Sequence, residues 1–117
     1  MRVQAITRNV RMSAQKMREV VRQIQGLPAQ RAKAVLAVVP RKSARFVAKT
    51  LDSAIANAED LKEHKKEYNS LKTDRLRIQE AVAQTASTLR RFTPKARGSA
   101  GPILKRHCHI KIVLSDE

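Results

Sequence analysis

LRRFTPKARGSAGPILKRHCH, residues 89–109, decides how the rest of this sequence is read. It carries Arg90, Arg91, Lys95, Arg97, Lys105 and Arg106 and no acidic residue. Pro94, Gly98, Gly101 and Pro102 sit in its middle, and prolines and glycines so grouped punctuate a turn. The flanks read as extended chain. Together these features describe a two-stranded arm with a cationic tip. Such a ribbon has too little apolar surface to form a core of its own. It requires a scaffold behind it and a polyanion around it.

Outward from the arm, the sequence alternates with a period of two. On the outgoing side Leu76, Ile78, Glu80 and Val82 fall on one face, and Arg75, Arg77 and Gln79 on the other. On the returning side Leu104, Cys108, Ile110, Ile112 and Leu114 oppose Ile103, Lys105, His107, His109, Lys111 and Val113. This is the pattern of a half-buried antiparallel pair. Residues 83–101 have few large apolar side chains with which to dock on a body.

The scaffold lies upstream. Residues 3–7 read as a short strand or lead-in, with Arg8 and Arg11 in a following loop. Ser13 is a good N-cap for a helix to about Gln25, whose Met17, Val20, Val21 and Ile24 form one apolar stripe. Gly26 and Pro28 punctuate its end. A second helix fits residues 29–38, with Ala32, Val35, Leu36 and Val39 inward. A third, residues 41–63, repeats Ala44, Val47, Ala48, Leu51, Ala54, Ile55 and Ala58 at helical spacing. Its first turns hold Arg41, Lys42, Arg45 and Lys49. Cations there oppose the helix dipole by roughly 0.3–1 kcal/mol each, which points to an anion nearby.

The chain has 117 residues, enough for one domain with one modest core. Aromatic residues are only 3%, so that core is aliphatic. Twenty-five Lys and Arg against ten acids give a net charge of +15. Residues 1–50 hold twelve bases and one acid, residues 51–80 six and seven, and residues 81–114 seven and none. Two basic regions thus bracket a balanced one, and nucleic acid is the expected partner. An anionic membrane fits less well, because residues 89–109 lack a large apolar face. No window reaches the length of an apolar span, and the start has no apolar leader segment. Cys108 is alone, which fits a reducing compartment.

Few constellations carry other chemistry. His107-Cys108-His109 resembles a metal motif, but a structural zinc needs four ligands and only His64 remains besides carboxylates. No metal or other cofactor is expected. No catalytic motif or phosphate-binding glycine pattern is present, so the chain does not read as an enzyme. Helices one and two, joined by Gln25-Gly26-Leu27-Pro28, could form a helix-turn-helix DNA-binding regulator. That alternative is weakened because the second helix offers only Gln30, Arg31 and Lys33 as readers. Aromatic stacking platforms for single strands are missing, so contacts through phosphate and sugar are expected.

Six segments carry a family resemblance: VRMSAQKMREV (10–20), RKSARFV (41–47), SAIANAE (53–59), PKARGSA (94–100), ILKR (103–106) and His109-Ile110. Over nearly its whole length the chain resembles the bacterial large-subunit ribosomal proteins numbered twenty-two, which place a hairpin in the peptide exit tunnel. The resemblance implies an α+β fold with three helices packed on a small antiparallel sheet and a long protruding β-hairpin. It implies a single domain, with the body at about 1–79 and 110–117 and the hairpin at about 80–109. It implies a non-enzymatic constituent that binds large-subunit rRNA, supports assembly and lines the nascent-peptide tunnel. Partners would be that rRNA, neighbouring large-subunit proteins and the nascent polypeptide, with no membrane and no homo-oligomer. The location would be the cytoplasmic ribosome, or alternatively an organellar one.

Expected rRNA contacts are Arg8, Arg11, Lys16, Arg18, Arg41, Lys42, Arg45, Lys49, Arg90, Arg91, Lys95, Arg97, Lys105, Arg106 and Lys111. The tunnel-lining tip would comprise Arg90, Arg91, Thr93, Pro94, Lys95, Arg97 and Gly98. Where the family has Glu-Gly-Pro before the basic pair, this chain follows Glu80 with AVAQTASTL (81–89). A bulge or longer loop is therefore expected between Glu80 and Leu89.

Overall fold

The three apolar helical stripes and the alternating segments find one another in the computed structural model, which describes residues 1–116. The elements are β1 (Arg2–Val10), α1 (Ala14–Ile24), α2 (Ala29–Val38), α3 (Lys42–His64), β2 (Arg77–Thr85), β3 (Leu89–Pro94), β4 (Ala100–Lys105) and β5 (Cys108–Ser115). Short 3-10 turns at Lys66–Tyr68 and Thr73–Arg75 lead from α3 to β2.

The core forms around β5, the middle strand of a three-stranded antiparallel sheet ordered β1-β5-β2. Its Cys108, Ile110, Ile112 and Leu114 are fully buried. The α1 stripe (Met17, Val20, Val21, Ile24) and the α3 stripe (Ala44, Val47, Leu51, Ala54, Ala58) join the same core cluster. Each fully buried Ile or Leu contributes about 1.5–3 kcal/mol to holding these layers together. The fully buried Thr50 of α3 is satisfied: its Oγ1 donates to the Phe46 carbonyl and sits 2.7 Å from Thr7 Oγ1. Ser13 caps α1 as expected, its Oγ accepting from Lys16 N–H. Gly26 takes φ 78°, which lets the chain reverse and its N–H reach the Ile78 carbonyl.

Two bulges correct the expected strand pattern. In β2, Ile78 pairs with Leu114 but Glu80 pairs with Val113, so Gln79 is an extra residue. The inserted residue inverts the parity beyond it. Ala81 and Ala83 are therefore buried, while Glu80 is exposed and Val82 half-buried, not the reverse. In β1, Thr7 pairs with Ile110 and Val10 with Cys108, leaving Arg8 and Asn9 opposite His109. Asn9 adopts φ 57°, and its N–H donates to His109 Nδ1 at 3.0 Å. The first strand is thus longer than residues 3–7 and includes Arg8, which was expected in a loop.

β3 and β4 form a separate two-stranded sheet beyond the body. The molecule measures 67 × 28 × 16 Å, with a radius of gyration of 17.7 Å. A compact chain of this length would have a radius of roughly 13 Å. The arm accounts for the difference.

Candidate nucleic-acid interface

The arm begins where the body sheet ends. β2 stays paired to β5 as far as Thr85 and Cys108, so the ribbon proper starts later than residue 80 and ends before residue 109. The next ladder opens at Leu89 and Lys105. Residues 86–88 thus oppose only Arg106 and His107, and the Ala86 N–H donates to the His107 carbonyl. This one-residue excess is the interruption expected between Glu80 and Leu89.

The ladder runs out to Pro94 opposite Ala100. There the Lys95 N–H donates to the Ser99 carbonyl at 2.7 Å, and Arg97 and Gly98 follow each other at φ 60° and 70°. Holding a non-glycine residue in that region costs on the order of 1–3 kcal/mol. Arg90, Arg91, Pro94, Lys95, Arg97 and Gly98 are all exposed, and Thr93 is half-buried. Among the described residues, no ion pair involves an arm cation.

At the arm's root, three elements converge. Arg11 and Lys16 come from the β1–α1 connection and the first turn of α1. Lys42 opens α3, and Arg106 leaves the end of β4. Together with Met12, Ser13 and Leu104 they line an open groove of about 630 Å³ that contains no acid. The starts of α1 and α3 both border it, and neither has an acid in its first turn. Arg11 also braces the joint, its Nη1 donating to the Arg106 carbonyl at 3.0 Å. A second recess continues the surface past Gln15, Arg18, Thr85, Arg106 and His107. Arg18 Nε donates to the Ala83 carbonyl, which fixes its guanidinium beside β2.

The remaining expected contacts are less concentrated. Lys42, Arg45 and Lys49 are exposed and follow helical spacing along α3. Arg41 is exposed but lies 3.5 Å from the Glu19 carboxylate, a pairing the sequence did not suggest. Arg8 is exposed within the β1 bulge. Lys111 is half-buried on the sheet face away from the helices, level with Ile6 and Val82. Lys105 stands at the base of the β3–β4 ladder, exposed.

His107-Cys108-His109 does not converge. Cys108 points into the core, and burial pushes its thiol pKa up, partly offset by the Arg18 guanidinium. His109 accepts from Asn9, and His107 Nδ1 lies 3.2 Å from the Lys105 carbonyl. Among the described residues, no three His, Cys, Asp or Glu side chains group as metal ligands. Among the described residues, no helix is long and apolar enough to cross a membrane.

The arm holds the one residue the sequence reading undervalued. Phe92 is 72% exposed in β3, so an aromatic surface does stand among the arm's cations. The arm's register, Arg90 with Leu104, Phe92 with Pro102 and Pro94 with Ala100, also gathers an apolar face that alternation alone did not reveal.

An aliphatic α+β body that projects an acid-free ribbon, with cations from three elements meeting at its root, has the build of a structural RNA-binding protein. The sequence matches the profile of the family described as Ribosomal protein L22p/L17e over residues 5–115. The large ribosomal subunit protein uL22 of Opitutus terrae is 50% identical over 116 residues, covering 99% of this chain and 96% of its own. Its counterpart in Akkermansia muciniphila is 41% identical over 117 residues, covering 100% and 98%. That of Methylacidiphilum infernorum is 43% identical over 117 residues, covering 100% and 96%. The chain belongs to the L22p/L17e family of ribosomal proteins, which are structural and not enzymes.

Proposed function

We propose that this protein works in the cytoplasmic ribosome as a structural constituent of the large subunit. Its body and arm root bind large-subunit rRNA, and its arm passes between rRNA segments to line the nascent-peptide tunnel. The observation that carries this is the unpaired cationic ribbon on a groove lined by Arg11, Lys16, Lys42 and Arg106. The free chain must hold these like charges close together. Binding to a folded RNA turns that repulsion into attraction, and the protein's cations release the counterions condensed on the RNA phosphates.

The fifteen cations named from the sequence would serve this contact. Arg11 and Arg18 would act partly by bracing the arm's root, and Arg41 while sharing Glu19. The tip residues Arg90, Arg91, Thr93, Pro94, Lys95, Arg97 and Gly98 would line the tunnel, with the nascent polypeptide and neighbouring large-subunit proteins as further partners. No chemistry is performed. A DNA-binding regulator is not favoured: of the readers on α2, Lys33 lies 3.4 Å from Asp52.

Two measurements test this. After a high-salt wash the protein should co-sediment with large subunits, and recovery only in the protein-free fraction would refute the ribosomal role. A photo-crosslinker replacing Arg97 should label a stalled nascent chain. Label confined to rRNA, with the protein in place, would refute the tunnel position of the tip.

A further inference from the structure

The two faces of the arm differ. One face carries Leu89, Arg91 and Thr93 opposite Lys105, Ile103 and Gly101. The other carries Arg90, Phe92 and Pro94 opposite Leu104, Pro102 and Ala100. On this second face Phe92 is 72% exposed and Leu104 44%, with Arg90 the single charge.

We propose that this face binds an unpaired RNA base, stacked on the Phe92 ring, with the Arg90 guanidinium beside it on the flanking phosphate. The inference rests on the ribosomal reading above and adds to it a contact with a base. An exposed phenyl ring two residues from an arginine, on one side of a ribbon, is the combination that holds splayed-out bases. Charge complementarity selects the occupant: residues 81–115 contain no acid, and among the described residues no carboxylate pairs with Arg90. An apolar polypeptide segment would bury the ring but leave that guanidinium without a counter-charge. Pro102 stands directly across the ladder on the same face. Cross-strand packing alone would explain a ring lying flat on its neighbour, but Phe92 leaves most of its surface free.

The test uses large subunits carrying the protein as Phe92→Leu, Phe92→Trp or the parent chain. Phe92→Leu keeps apolar bulk and removes the ring; Phe92→Trp restores an aromatic surface. Base-specific chemical probing of the rRNA in salt-washed particles is the readout. We expect at least one base to become about 5- to 100-fold more accessible in Phe92→Leu, the range a lost stacking contact allows, and to be protected again in Phe92→Trp. Identical probing patterns in all three particles, with the protein present at full occupancy, would overturn the stacking contact and leave the ribosomal role standing. A photo-crosslinker at position 92 that labels a nascent polypeptide and no rRNA would overturn it in favour of a face turned to the tunnel. Absence of the parent protein from the particles would remove the ribosomal reading itself.

Discussion

Replacing Lys16 and Lys42 together by Ala should alter the salt dependence of RNA binding by a predictable amount. Both side chains line the acid-free groove at the arm's root, both are exposed, and neither has a carboxylate partner among the described residues. Their loss should therefore leave folding stability within about 0.5 kcal/mol of the parent. If each ammonium neutralises one phosphate, it contributes about 0.7–0.9 to the slope of log K against log salt. The double variant's slope should then be shallower by about 1.4–1.8. Between about 50 and about 200 mM salt the affinity gap to the parent should narrow by about 7- to 12-fold. The assay is a salt titration of binding to deproteinised large-subunit rRNA, with Lys62→Ala/Lys66→Ala as the control. Those two lysines are exposed at and just past the C-terminal end of α3, opposite the end that Lys42 opens, and should leave the slope unchanged. Parallel lines for Lys16→Ala/Lys42→Ala and the parent would refute the groove as a phosphate site. So would an equal flattening in the control.

Other consequences concern the scaffold. Ile112→Ala should cost about 2–5 kcal/mol in urea unfolding, since Ile112 is fully buried between Ala5 and Ala81, which are too small to fill the gap. Ile6→Ala, on the outer face, should cost less than about 1 kcal/mol; equal losses would contradict the assigned core face. Deleting Gln79 should close the bulge and leave Glu80 outward and Ala81 and Ala83 toward the helices, because Ile78 and Glu80 already pair with the adjacent Leu114 and Val113. Urea unfolding should show a loss of no more than about 3 kcal/mol. A deletion that does not fold would contradict the assigned bulge. The N-terminal ammonium at 3.0 Å and the Lys72 N–H at 3.2 Å hold the Asp116 carboxyl below the usual carboxylate range. The folded state thus favours the charged form. This contribution is complete above the ordinary value near pH ~4 and fades as pH falls through the lowered one. Asp116→Asn should lose about 1 kcal/mol or less at neutral pH and match the parent in strong acid, as read by urea midpoints across pH. A constant difference at every pH would contradict the electrostatic origin.

Sequence periodicity revealed the helices because their stripes are long: α1 buries every residue whose spacing marked it, and α3 buries Ala44, Val47, Leu51, Ala54 and Ala58 while Ala48 and Ile55 stay half-buried at the stripe's edge. The strands were less legible because their inward residues are small. Ala81 and Ala83 do not advertise a buried face, so Val82 and Glu80 seemed to continue it. Glu80 on a core face was the available warning. Among the site residues, the cations were readable as a list, but not their grouping. Arg11, Lys16, Lys42 and Arg106 are separated in sequence and meet only because β5 carries the end of the arm past the starts of α1 and α3. The Arg41–Glu19 pair escaped for the same reason. Phe92 was visible as a residue, but its face was set by the ladder register beyond the bulge.

Amide hydrogen exchange across residues 86–107, in the free protein and in the large subunit, tests most directly whether bound RNA keeps the arm extended. A lone two-stranded ribbon is marginal in water. The arm should therefore exchange quickly in the free protein and become protected in the subunit, while β5 is protected in both. An arm already protected in the free chain, or one still unprotected inside the subunit, would contradict the account.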